Sequence, residues 1–176
     1  MTPVKFKEEI LRLRSPQQWA MLIEELESDS KLFEDLIKFA FDPDETLSFR
    51  ASWIMDKAVE KHPDILSQQH IDIISDQVIG HFNFSVTRAC LRLLSREKLT
   101  VKNLGRLTNQ CFNWLVASST PIAVKVHAMQ LLYRVALLEP DFKNELKLII
   151  EEQLPHGSAG FKSRGKKILK LLEKIS

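Results

Sequence analysis

Long apolar runs, glycine and cysteine are all scarce in this chain, and each shortage removes a class of answer. No apolar stretch approaches the roughly 20 residues that a membrane-spanning helix needs, so no membrane insertion is expected. The opening residues, MTPVKFKEEILRLRS, carry charges where a secretory signal would need its apolar region, and a cytoplasmic protein is expected. Five glycines are few for an all-β or dinucleotide-binding fold, and there is no glycine-rich phosphate loop. The two cysteines, Cys90 and Cys111, stand at apolar positions of helical segments and outside any CxxC pair. They read as reduced core thiols. The histidines His62, His70, His81, His127 and His156 are scattered without HExxH or any metal-ligand spacing. Neither a metal nor a cofactor is expected, and no catalytic set emerges.

What the chain has instead is a repeat. The stretch from Phe39 to His62, FAFDPDETLSFRASWIMDKAVEKH, reads as the end of one helix, an acidic turn and a second amphipathic helix. Its small anchor Ala51 recurs as Ala89, Ala128 and Gly165, at spacings of 38, 39 and 37 residues, each preceded by a basic residue or histidine. A self-similarity of that length marks stacked helical hairpins, none of which buries its apolar face alone. The expected fold is all-α, a right-handed α-α superhelix (solenoid) of about four hairpins plus an N-terminal capping helix, in one domain over 1–176. The capping helix is placed at about 15–28 and the units at about 30–62, 67–97, 100–139 and 141–175.

Local signals fill in this frame. Residues before 13 read as a fraying turn or two, and Ser15-Pro16 starts the capping helix with Trp19, Leu22, Ile23 and Leu26 on one face. Asp29-Ser30 starts the next helix. The turn Asp42-Pro43-Asp44 stops it, because the residue before proline is pushed out of the helical region, and Thr46 can cap the second helix of this unit. Leu47, Ala51, Ile54, Met55 and Ala58 share one face of that second helix. Further on, Arg88, Arg92 and Arg96 are spaced four apart, which sets three guanidinium groups in a row opposite Val86, Ala89, Cys90, Leu93 and Leu94. Leu104, Leu107, Cys111 and Leu115 stripe the third unit's first helix. Its second helix is apolar nearly all round, apart from Lys125 and a narrow strip of His127, Gln130 and Arg134, as suits a helix packed between neighbours.

The run from Asp42-Pro43-Asp44 through Phe49-Arg50-Ala51 resembles the HEAT repeat, whose units pass from an apolar first helix through an Asp-Pro-type turn into a helix beginning Val-Arg-x-x-Ala. Asn83 stands roughly where the turn aspartate falls in the second unit. The resemblance implies a non-catalytic scaffold that binds a partner protein through its concave face. Arg50, Arg88, His127 and Arg164 hold the same place in successive units. They can form the structural ladder of such repeats, in which a basic side chain bonds the turn acid and nearby carbonyls, as Arg50 would bond Asp44. They can also begin a binding track along the concave face. That track comprises Arg50, Trp53, Lys57, Arg88, Arg92, His127, Gln130, Arg134, Arg164 and Lys167. Trp53 would then anchor a partner or stack a base; alternatively Trp53, Trp114 and Tyr133 are packing residues.

Two other readings compete. Some HEAT-like DNA-alkylation-repair enzymes carry aromatics and an aspartate on a basic concave face, and Trp53, Asp56 and Arg88 echo them, so nucleic acid is the alternative partner. The basic residues of 156–176 (Lys162, Arg164, Lys166, Lys167, Lys170 and Lys174 against the lone Glu173) are a footprint of that kind or a solvated cap. The stretch from His156 to Lys166 faintly resembles the Gly-Ser-Ser-x-Met-Pro-x-Lys-x-Asn loop of the adenylosuccinate lyase and fumarase superfamily through Gly157, Ser158 and Lys162. The second serine, the Met-Pro pair and the asparagine are absent, so that reading is rejected. A helix start fits better, with Ser158, Lys162 and Arg164 as an anion site.

Overall fold

The computed structural model describes residues 1–97 and 101–175, without the side chains of residues 101–104. Among these residues ten α-helices form and no strand occurs: α1 (Pro3–Arg12), α2 (Pro16–Ser28), α3 (Ser30–Ala40), α4 (Glu45–Lys61), α5 (Gln68–Ile79), α6 (Phe84–Leu94), α7 (Val101–Val116), α8 (Ile122–Leu138), α9 (Phe142–Gln153) and α10 (Ala159–Leu172). A 3₁₀ turn, Pro63–Ile65, follows α4. The unit boundary at residue 100 and the burial of Leu104 lie outside the described residues.

Helix starts follow the capping chemistry of the sequence, with one correction. Ser15 and Gln18 form a reciprocal capping box at α2, and the Asp29 carboxylate accepts from the N–H groups of Lys31 and Leu32 at α3. At α4 the cap is Asp44 rather than Thr46, since Asp44 Oδ1 accepts from Thr46 N at 2.9 Å and Leu47 N at 3.0 Å. An aspartate two residues upstream reaches both free N–H groups at once and carries the charge that the helix N-terminus favours. Asn83 takes the same place before α6, its Oδ1 accepting from Ser85 N at 2.9 Å.

The chain forms two compact units, Met1–Leu93 and Leu94–Ser176. In the first, α4 packs against α1, α2 and α3, and its Leu47, Ala51, Ile54, Met55 and Ala58 are fully buried. Residues before 13, expected to fray, are instead an integral helix: Thr2 caps α1, Phe6 and Ile10 are fully buried, and the Phe6 ring lies 5.8 Å from that of Phe39. Burying two such side chains is worth roughly 1.5–3 kcal/mol each, which outweighs the weak tendency of ten residues to form a helix alone. In the second unit α8 packs against α7, α9 and α10. Its Val124, Ala128, Met129, Leu131, Leu132, Val135 and Ala136 are buried, as the apolar circumference predicted. Central helices α4 and α8 are both 17 residues long and begin 77 residues apart, two repeat lengths.

The anchor column is buried throughout: Ala51 and Ala128 completely, Ala89 and Gly165 nearly so. At Gly165 a Cβ would stand 3.1 Å from Ile150 Cγ2 and 3.2 Å from Leu154 Cδ1, so the absence of a side chain is what lets α10 approach α9. No described helix is long and apolar enough to cross a membrane.

Candidate functional site

On α4 the residues singled out in the sequence form one cluster with a partner from α2. Arg50 Nη1 donates to the backbone carbonyls of Leu11 at 2.7 Å and Ile10 at 3.0 Å, and reaches Leu13 O at 3.4 Å. These are the carbonyls that a helix end leaves unsatisfied. The bond to Asp44 that a ladder would require is not made; the Asp44 carboxylate serves its own helix N-terminus instead. The Arg50 guanidinium also sits 6.0 Å from the centre of the Trp19 ring, which meets the half-buried Trp53 edge-on at 5.0 Å. Trp19 was legible as part of the apolar face of its helix but not as the partner of Trp53, because nothing local in the sequence links the two.

Further along α4, Asp56 is buried and pairs with Arg92 of α6, Nη1 to Oδ2 at 2.5 Å. Arg92 Nη2 lies 2.6 Å from Glu60 Oε1, and Glu60 Oε2 in turn takes Lys57 Nζ at 2.5 Å. The acid that echoed a catalytic aspartate is thus neutralised inside the fold. Arg88 stands exposed, one turn before Arg92. The expected row of three guanidinium groups on one helix does not form, since α6 ends at Leu94 and Arg96 lies in the turn beyond it.

In the second unit the same logic recurs. Arg134 Nη2 donates to the Glu97 carbonyl at 3.2 Å, and Arg164 Nη1 to Gln130 Oε1 at 2.6 Å, which joins α10 to α8. His127 is half-buried and Lys167 exposed. Lys125, only 7% exposed, donates to Gln153 Oε1 at 3.3 Å, while Gln153 Nε2 donates to Leu115 O at 3.1 Å. Burial pushes the Lys125 ammonium below its ordinary pKa. Cys90 and Cys111 are free and fully buried, and burial raises both thiols far above the ordinary range, with Asp56 adding to the effect at Cys90. They are core thiols, as expected. Trp114 is buried and Tyr133 half-buried.

Several side-chain hydrogen bonds to distant residues, some to side chains and some to backbone carbonyls, share a sequence span. Arg50 to Leu13, Arg92 to Asp56, Arg134 to Glu97, Gln153 to Leu115 and Arg164 to Gln130 span 37, 36, 37, 38 and 34 residues. Each reaches back about one repeat, as stacked copies of one hairpin require. The profile of the HEAT repeat domain family matches residues 6–172. The chain belongs to the HEAT-repeat family. No curated protein and no solved structure matches it.

In this HEAT-repeat chain the proposed anion site is only partly assembled. Ser158 Oγ caps α10 by accepting from Phe161 N, and Arg164 is turned to Gln130, which leaves Lys162 half-buried without them. The structure gathers another group that the sequence pattern did not reveal. His62, at the end of α4, places Nε2 3.1 Å from Glu24 and Nδ1 3.2 Å from Glu27, both on α2, while Lys61 also pairs with Glu24. Titratable groups so engaged with each other act as a clamp between α2 and α4. A metal ion placed there would have to displace the lysine.

Proposed function

We propose that this HEAT-repeat chain is a non-catalytic scaffold that binds a partner protein through the face formed by the second helices of its repeats, read as the concave face. The observation that carries the reading is the Trp19–Trp53–Arg50 cluster: a half-exposed tryptophan whose ring is fixed edge-on and whose neighbouring guanidinium is tied to three carbonyls. Tryptophan and arginine dominate binding hot spots, and an anchor held rigid before binding loses little entropy on docking. In the first unit Arg88 presents charge from α6 while Lys57 and Arg92 are half-buried, and in the second Lys167 presents charge from α10 while His127, Gln130, Arg134 and Arg164 are half-buried. The absence of a catalytic role is supported by the engagement of Asp56 with Arg92. Two buried free thiols fit a reducing compartment such as the cytoplasm.

A second reading, nucleic-acid binding, is favoured by α10, where Lys166, Lys167 and Lys170 are exposed on successive turns and Lys174 follows the helix. Phosphate contacts of that kind weaken steeply with salt. The test is affinity purification of tagged protein from its native extract, with and without nuclease and at low and high salt, beside the Trp53→Ala and Arg88→Glu variants. Retention of one defined protein after nuclease, lost in Trp53→Ala, supports the scaffold. Loss of all partners with nuclease or modest salt overturns it in favour of nucleic acid.

A further inference from the structure

The first unit carries a second surface, on the turns rather than on the second helices. Residues 41–44, between α3 and α4, and residues 80–83, between α5 and α6, lie side by side, with the Phe41 ring edge-on to His81 at 5.5 Å. An open cleft of about 570 Å³ separates them. Phe82, in the second turn, is 96% exposed, and Phe84 beside it is 36% exposed. Isolated exposed apolar residues are common, but an aromatic side chain displayed almost entirely in water, next to a further aromatic and a preformed cleft, is the arrangement of an interface anchor.

The turn that displays Phe82 is held on both sides. The His81 N–H donates to Val78 O at 3.3 Å, His81 Nδ1 accepts from Asn83 N at 3.2 Å, and Asn83 Oδ1 accepts from Ser85 N. Little ordering is therefore needed when a partner covers the ring. The cleft also has one sign of charge. Its lining includes Asp42 and Glu45 but neither lysine nor arginine. Asp42 is met from α1 by Lys7 Nζ at 3.3 Å, whereas the Glu45 side chain is exposed at the start of α4, next to the equally exposed Asp44. Burial lowers the pKa of His81, which keeps that ring neutral at physiological pH.

We propose that this cleft docks a segment of a partner protein that presents an apolar side chain to Phe82 with an arginine or lysine beside it, directed at Glu45. The basic neighbour follows from charge complementarity, and the apolar one from the exposed ring. The surface lies apart from Trp53, so it stands or fails separately from the second-helix face.

Panning the full-length chain against a displayed library of random twelve-residue peptides tests the assignment, with Phe82→Ser, Glu45→Lys and Trp53→Ala panned in parallel. Phe82 is so exposed that its replacement leaves the fold intact, which far-ultraviolet circular dichroism confirms for each variant. The expected result is enrichment of peptides that pair a basic residue with a large apolar one. A synthetic copy of the enriched peptide should move the amide resonances of residues 41–48 and 80–85, bind Phe82→Ser at least tenfold more weakly, lose affinity to Glu45→Lys, and bind Trp53→Ala as it does the wild type. No enrichment, an acidic consensus, shifts confined to other residues, or undiminished binding to Phe82→Ser would each overturn it. So would self-association that Phe82→Ser abolishes in sedimentation, because the occupant would then be a second copy of the chain.

Discussion

The Arg92 guanidinium lies against the Asp56 carboxylate, 36 residues back, and the carboxylate is almost wholly shielded from water while the guanidinium is about a third exposed. This asymmetry sets the cost of losing each partner. Arg92→Ala removes a close charge partner of the buried carboxylate and is expected to destabilise the protein by about 3 kcal/mol. Asp56→Asn leaves Arg92 with Glu60 and with water, and costs less. Urea unfolding of both variants checks the order; equal losses would show that the carboxylate is better solvated than its burial indicates.

Two glycines respond in opposite directions. Gly105, exposed within α7, has nothing within 4 Å of where a Cβ would be, so Gly105→Ala should stabilise the protein by about 0.5–1 kcal/mol through helix propensity. Gly165→Ala gains the same propensity but forces its methyl against Ile150 and Leu154. Overpacking of this kind costs about 1–3 kcal/mol, so a net loss is expected. Melting temperatures of the pair, each about 2–4 °C per kcal/mol for a chain of this size, decide it.

Lys125 predicts a pH effect. Its folded pKa is depressed from 10.5 by burial, so between the folded value and 10.5 the unfolded chain binds more protons than the folded one. Stability therefore gains from this residue as pH rises through that window. Lys125→Met removes the gain and, by replacing a buried ammonium with an apolar side chain, should melt at or above the wild type at pH 7. A variant that melts lower and keeps the full alkaline rise would show that the bond to Gln153 outweighs the cost of burial.

Thiol accessibility offers a simple check of the core. Both cysteines are fully buried and held protonated, so neither should react with a disulfide reagent at pH 8 within minutes, and both should react in denaturant. Fast labelling of the native protein would place Cys90 or Cys111 nearer the surface than the fold does.

The features readable in advance were those that repeat at fixed spacing. Ala51, Ala89, Ala128 and Gly165 were legible because a small residue every 37–39 positions has one physical reason, close helix approach, and all four are buried. Caps whose signal is local, such as Ser15 and Asp29, were legible too. Thr46 was expected to cap α4, yet Asp44 does, because an aspartate two residues upstream reaches the N–H groups of both Thr46 and Leu47. The short apolar signal of Phe6 and Ile10 was too weak to predict a docked helix. The destinations of Arg50 and Arg92 were not legible, because a flexible side chain's partner one repeat away depends on rotamer and stacking rather than on pattern. The basic column was read as uniform, and it is not: Arg50 seals a helix end, Arg88 stays in solvent, and Arg164 bonds an amide.

The reach of these side-chain bonds has a kinetic consequence. Since Arg50, Arg92, Arg134, Gln153 and Arg164 each find a partner 34 to 40 residues away, these links require only short loops to close. Closure entropy grows only slowly with loop length, and chains dominated by near-neighbour contacts fold quickly. Folding is then expected to start at either central helix, α4 or α8, and to spread hairpin by hairpin. A truncation at one end would shorten the protein without removing the nucleus at the other.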